Sequence, residues 1–507
     1  MKSTRRRRAR RGARPGGSSW SVGLGVATGG DGVLAHAGSV LPRLLADRVG
    51  LTGELSVAVS RAGFTPVHDR GRVLVDAATA LCAGATCVTD IEALSRQNAL
   101  LGGRGVSDST VVRALDELAT RIGPSGLATR RLATAIASAR AGAWQAITGC
   151  HDGLPAVMVA GRPLTRQVAT GDGQSRRRAV TVIRLDATLI DAASSKEGAA
   201  GTYKGGWGFH PMTAWCSNVG DNLAVLLRPG NAGSFTAADH VAVLDHALAQ
   251  VPAAHRQDVL VTVDGAGASR VLIEHLSALN TARRYPTQGR RVDYSIGWPV
   301  DERTRAAIDL APAHAWGPAL RADDSVDQAA DVIDLTGLMR SSMNGETLAG
   351  WPADMRVLAR RVPRPAGEQA ALGEDPDWRY SAFATNTATG QAQWLDARHR
   401  TQAHVEDNIK ELKAHGARRL PSGAWARNTA WLLLAALATS LTAWLRLIAL
   451  DGPEAKAEVK ALRYRILAAP ARLITHARRR VLKIPTTWVW APAITTAWER
   501  LRALHPA

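Results

Sequence analysis

The sequence predicts an α/β fold. A mixed sheet core holds an inserted subdomain and is preceded by an all-α, helix-turn-helix-like N-terminal domain. Three observations predict it. Between about Ala35 and Cys150 apolar residues recur every three or four positions, the period of helices packed on one face. From Ala179 onward the pattern changes to short β-branched runs alternating with helical stretches. A hydrophobic fraction of 46% over 507 residues supports a large core and excludes a disordered chain.

In chain order, residues 1–35 read as a basic, disordered tail without the apolar run of a secretory signal. Residues 36–160 read as a helical DNA-binding domain. Within it, VSDSTVVRALDELATRIG follows a Gly-rich turn, with Ser107 or Asp108 able to cap a helix whose apolar face includes Val111, Val112, Leu115 and Leu118. Ser109 and Arg113 fall on its exposed side. The Arg-rich GRPLTRQVATGDGQSRRR reads as a linker.

Residues 178–282 form the first part of the core. AVTVIRLDATLIDAA is a strand with Asp186 in its middle; HPMTAWCSN and NLAVLLRPG are the next two. A helix spans about Thr236 to Val251, DVLVTVDGAG is a strand ending at Asp264, and ASRVLIEHLSALN is a helix. Residues 283–377 read as the insertion subdomain. Residues 378–450 complete the core and carry the helix HRTQAHVEDNIKELKAH. Residues 451–507 form a basic C-terminal region. The run Trp431–Leu450 is long enough for a bilayer, but its Thr, Ser and Arg residues favour a buried core helix.

A formal charge of +19 favours a polyanionic partner. None of the four cysteines forms a CxxC pair, so they read as reduced, buried thiols. There is no GxxxxGK[ST] and no HExxH, which argues against ATP-driven chemistry and a zincin site. Asp239, His240, Asp245 and His246 on one helix read as surface or packing residues.

On the Glu406 helix, Glu406, Lys410 and Lys413 form one stripe, and Val405, Ile409 and Leu412 the apolar one. An acid beside cations suits a metal held next to phosphate. Asp186 and Asp264, at the ends of apolar strand-like runs, are the other acids for such a site. Composition alone leaves open that the two Asp are turn formers and Glu406 a solvated face.

Several motifs occur in order: IRLDATLID, GTYKGGWGFHPM, LLRPGNAGSFTAADHV, VTVDGAGAS, FATN and VEDNIKELK. Through them the chain, from about Leu34 to its C-terminus, resembles the DDE transposases of the insertion-sequence 1380 family, also called the group 1 transposase DDE domain. The resemblance implies a ribonuclease-H-like core with Asp186, Asp264 and Glu406 as catalytic, metal-binding triad. It implies two Mg²⁺ (or Mn²⁺) ions, metal-dependent cleavage at inverted repeats, and strand transfer into target DNA. The expected partners are double-stranded DNA, as terminal inverted repeats and target, and a second copy in a homodimer on DNA, with no membrane. The expected location is bacterial, cytoplasmic and nucleoid-associated. Related enzymes carry Tyr-x2-Arg-x3-Glu-x6-Lys. Here the positions hold His399, Gln402, Glu406 and Lys413, so the Tyr and Arg are replaced. His399, Arg400, Gln402, Lys410, Lys413, Arg113 and Trp298 are the expected DNA contacts. Trp298 and Trp316 could alternatively be core of the insertion. The replaced Tyr and Arg also leave a second reading open, a catalytically inactive DNA-binding relic.

Overall fold

The computed structural model describes residues 29–98, 105–169, 175–233, 236–283, 289–342, 345–370, 375–476 and 478–505. Most of the 1–35 tail, most of the Gly-rich turn before Ser107 and most of GDGQS therefore lie outside the described residues. Six helices open the chain: α1 (Val40–Arg48), α2 (Leu51–Val59), α3 (Arg70–Ala83), α4 (Val88–Asn98), α5 (Asp108–Ala119) and α6 (Arg130–Cys150). The Ser107 hydroxyl caps α5 by accepting from the Thr110 N–H, and Val111, Ala114, Leu115 and Leu118 are buried. Arg113 and Ser109 are exposed.

The sheet follows: β1 (Thr181–Ala187), β2 (Ile190–Asp191), β3 (Ala200–Gly201), β4 (Trp207–Phe209), β5 (Met212–Cys216), β6 (Asp221–Leu226), α7 (Ala237–Gln250), β7 (Asp258–Val263), α8 (Arg270–Leu279), β8 (Arg291–Trp298), β9 (Gly317–Leu320), β10 (Val326–Asp334), β11 (Arg356–Pro363) and β12 (Trp378–Thr385). Helices α9 (Ala392–Arg400), α10 (Val405–Leu412) and α11 (Trp425–Ala449) come next. Nine strands make one sheet in the order β6-β5-β1-β7-β8-β12-β11-β10-β9, while β2, β4 and β3 form a small sheet of their own. The central trio β1, β7 and β8 is parallel and the flanks are antiparallel. A parallel centre covered on both faces needs near-continuous apolar strands, which β1 and β7 supply.

Helix α11 is apolar on nearly every side, as a helix enclosed by protein must be. It is long and apolar enough to cross a membrane, yet most of that apolar stretch is buried inside this molecule. Helices α1, α3, α5 and α6 and strand β6 pack against it. The Cys82 thiol on α3 donates to the Ala438 carbonyl at 3.3 Å. One apolar core runs from the N-terminal helices through α11 into the sheet.

Two segments and the cysteines differ from the sequence reading. The 283–377 stretch, read as an insertion, supplies β8–β11 and so continues the same sheet. Its first strand is buried along almost its whole length and pairs in parallel with β7. The Arg-rich linker forms an antiparallel hairpin, Thr165–Ala169 with Ser175–Ala179. Arg166 anchors it to Asp293 at 2.7 Å and Asp258 at 3.5 Å. Finally, the four cysteines are free, but only Cys82 and Cys216 are buried; Cys150 is exposed.

Candidate active site

Strands β1 and β7 are parallel neighbours with Leu185 opposite Val263. One residue further on, Asp186 and Asp264 come side by side at the carboxyl end of the sheet, where α/β folds place their sites. The chain leaves β7 through Gly265, and β8 lies close against that turn. A Cβ at Gly297 would stand 2.5 Å from the Gly265 nitrogen, so only glycine lets the two backbones approach.

Asp186 titrates at about 7, far above an ordinary carboxyl. Burial is the largest cause, and the neighbouring Asp264 and then Glu406 push the same way. The Ala187 N–H, donating to Oδ1 at 2.8 Å, and Lys413 oppose them. Asp186 therefore feels both other acids of the expected triad, from segments 78 and 220 positions downstream in the sequence. Glu406 lies exposed in the first turn of α10, while Val405, Ile409 and Leu412 bury the opposite face. Among the described residues, no group of three or more His, Cys, Asp or Glu stands close enough together to hold a metal ion.

The helix bearing Glu406 is docked by a row of polar side chains. Across β1, β7, β8 and β12 the paired residues Arg184, Thr262, Ser295 and Thr385 form one row. Residues just before Glu406 meet it member by member. Arg398 donates to Thr385 at 3.0 Å, His399 Nδ1 meets Ser295 Oγ at 3.0 Å, and Thr401 accepts from Arg184 at 3.0 Å. Gln402 accepts from the Thr262 hydroxyl and donates to the Leu185 carbonyl at 3.0 Å, one residue before Asp186. Buried polar groups persist only when partnered, so this matching fixes where the helix can sit. The segment 399–415 is accordingly not one uniform helix. A tight turn at Thr401–His404 separates α9 from α10, and a wide turn, Lys413–Ala417, ends it.

The side chains expected to reach DNA are distributed unevenly. His399 lies stacked on Phe383 with ring centres 4.5 Å apart, and burial first, then Arg398 and Arg184, lowers its imidazole to about 3. Arg400 is tied to Asp396 at 3.0 Å and to the Leu320 carbonyl. Gln402 is buried. Trp298 is buried edge-on against Trp351, 4.9 Å between centres, with its N–H on Thr304. Trp316 has Arg361 over its ring at 4.5 Å. Lys410 and Arg113 are exposed, Lys410 pairing with Glu458 at 3.3 Å. Lys413 is half-buried; desolvation lowers its pKa, as do Lys204 and Arg418, while Asp191 and Asp186 raise it.

Asp239 pairs with Arg228 at 3.0 Å, and Asp245 with His275 at 2.7 Å. Sequence reasoning passed over the buried arginines and one asparagine. Arg228, in RPGNAGS, also donates to the His210 carbonyl, tying β6 to the start of β5. Asn386, in FATN, bridges Val292 and Tyr294 of β8. The available signal was an arginine or asparagine embedded in an apolar run.

The family model for the transposase DDE domain, group 1, matches residues 22–506. The chain belongs to that family. A DDE transposase is in general a polynucleotidyl transferase that uses divalent metal ions. No curated protein matches this transposase. Among solved structures it is similar to a piggyBac transposase synaptic complex with hairpin DNA, at 8% identity over 86% of this chain and 82% of that one, with a TM-score of 0.39.

Proposed function

We propose that this transposase cleaves DNA at the ends of its element and joins the freed 3′-hydroxyl to target DNA, with Asp186, Asp264 and Glu406 as its catalytic acids in a ribonuclease-H-like core. The observation that carries the reading is Asp186. Its carboxyl pKa is pushed up to about 7 by burial first and then by two acids that come from remote parts of the chain. Such crowding costs free energy unless positive charge is brought in. The chemistry of the donors, though not their spacing in this structure, suits Mg²⁺ or Mn²⁺, since carboxylate oxygens are hard ligands and Glu406 is open to solvent.

When bound, such ions activate a water or hydroxyl and steady the leaving oxygen of a phosphodiester. Asp186, Asp264 and Glu406 would be the residues that hold them. Lys413, beside Asp186, supplies a fixed positive charge for phosphate. His399 and Gln402 do not count against catalysis, because their side chains serve the docking of α10 rather than an open surface. Terminal inverted repeats and target DNA are the proposed partners, with a homodimer holding two ends, in the cytoplasm, and membership in the insertion-sequence 1380 family.

The test is Glu406→Gln, assayed on duplex carrying an element end, in Mg²⁺ and in Mn²⁺. Cleavage is expected to fall by at least a hundredfold while end binding persists. Undiminished cleavage would remove Glu406 from the mechanism.

A further inference from the structure

The segment GTYKGGWGF carries exposed side chains that the triad does not use. Residues 200–209 fold back as β3 and β4, with Ala200 opposite Gly208 and Gly201 opposite Trp207. The turn between them is tight. The Thr202 hydroxyl donates to the Gly205 carbonyl at 2.8 Å, and Gly205 and Gly206 both take positive φ, near 80°. That leaves Tyr203 74% exposed and Trp207 52% exposed, among the most exposed large rings of the described residues. Lys204 sits over the Tyr203 ring at 5.7 Å.

The turn's position follows from the chain path. Strand β2 starts three residues beyond the end of β1 and pairs with β4, Ile190 opposite Phe209. The chain then enters β5, where Thr213 lies opposite Asp186. The exposed turn is thus built on the end of β1 that carries the acid. The electrostatic influence of Lys204 on Lys413, and of Lys413 on Asp186, agrees with that placement.

Exposed rings beside cations suit a polyanion with flat faces. In duplex DNA the base faces are covered by stacking, so only an unpaired nucleotide can lay its base on such a ring. We propose that Tyr203, Lys204 and Trp207 form a platform for an unpaired nucleotide of the DNA strand being processed, the rings taking the base and the lysine its phosphate. This rests on the proposed DNA-processing function and assigns these residues a positioning role in it.

The test compares a fluorescein-labelled duplex bearing a short unpaired 3′ extension with its blunt counterpart, by anisotropy, in EDTA so that no cleavage occurs. The full chain is expected to bind the extended form more tightly. The Y203A/W207A double variant should lose that preference by about tenfold or more, the scale of base-on-ring stacking. W207F should keep most of it, and K204A should weaken both probes alike. Both rings are exposed, so an unchanged Tm is the control for folding. Retention of the preference by Y203A/W207A, an equal loss on both probes, or its absence in the unaltered protein would each overturn the platform. The Glu406→Gln cleavage result is independent of all three. Failure to bind either DNA would overturn the platform and the proposed function together.

Discussion

At the scale of single residues, Asp186 sets a pH dependence whose sign follows from its burial. Its carboxyl titrates near 7 in the folded chain against 3.8 as an ordinary side chain. Between those values the folded form holds the extra proton, so metal-free stability falls as pH rises through that window. Each tenfold change in proton affinity is about 1.4 kcal/mol, so the loss is on the order of a few kcal/mol. D186N, which cannot ionise, should melt above the unaltered chain at pH 8 and close to it at pH 5. Added Mg²⁺ should raise Tm more at pH 8 than at pH 6, because the ion must displace the proton. An Mg²⁺ effect independent of pH would show that Asp186 is not a ligand. Gln402 gives a second residue-level expectation. Q402A leaves the Leu185 carbonyl and the Thr262 hydroxyl without their buried partner, at a cost of about 1–3 kcal/mol in urea unfolding. Cleavage should fall more than binding, because the helix carrying Glu406 loses its anchor beside Asp186. A Q402A protein with full cleavage activity would mean that the row of polar contacts does not position the acid.

The scale of elements explains what could be read from the chain and what could not. Strands β1, β5, β6 and β7 and helices α7 and α8 follow directly from local patterns. β5, β6 and β7 are short apolar runs with Gly, Pro or Asn close by, β1 is a β-branched run, and α7 and α8 are amphipathic stretches, α8 capped by Ser269. The two aspartates were legible for the same reason, since each closes an apolar run. Strand β8 was harder. It is the third parallel strand, yet it begins RVDYS, and its polar Asp293 and Ser295 are explained only by partners far along the chain, Arg166 and His399. His399 and Gln402 likewise look exposed when the helix is read alone. Their burial depends on which strands lie beneath, and no local pattern encodes that. The far end of the Glu406 helix is also set by tertiary contact. At Gly416 the chain turns with φ +99°, a Cβ would lie 3.0 Å from Leu81 Cδ2, and the Trp431 indole N–H donates to its carbonyl at 2.8 Å. G416A therefore combines backbone strain with a clash and should cost about 1–3 kcal/mol of stability, read by urea denaturation. A neutral G416A would mean that this turn can relax without disturbing α10.

At the scale of the whole molecule, charge and acid sensitivity follow from where the ionisable groups are placed. Three histidines have lowered pKa values, His415 fully buried and His399 and His246 partly so: His399 and His415 to about 3 and His246 to about 4, in each case chiefly through loss of solvent. The folded chain resists protonating them while the unfolded chain takes protons near 6.5. Their contribution to stability is complete above 6.5 and is lost as pH falls towards 3–4, a slope opposite to that of Asp186. The surface carries the other term. Many acids are already paired with arginine, as Asp396 is with Arg360 and Arg400, so the surplus of 19 positive charges is left for a polyanion. Binding of a duplex should therefore release counterions, with log Kd rising linearly against log salt. If 6–10 phosphates are contacted, affinity should drop by about 10³–10⁵ between roughly 50 and 200 mM salt. An element end and an unrelated duplex should share most of that slope, because the backbone term carries no sequence information. They should differ mainly in intercept, the part supplied by base contacts. Titrations over a salt series with both duplexes would test this, and a flat salt dependence for the unrelated duplex would mean that the excess charge does not face the nucleic acid.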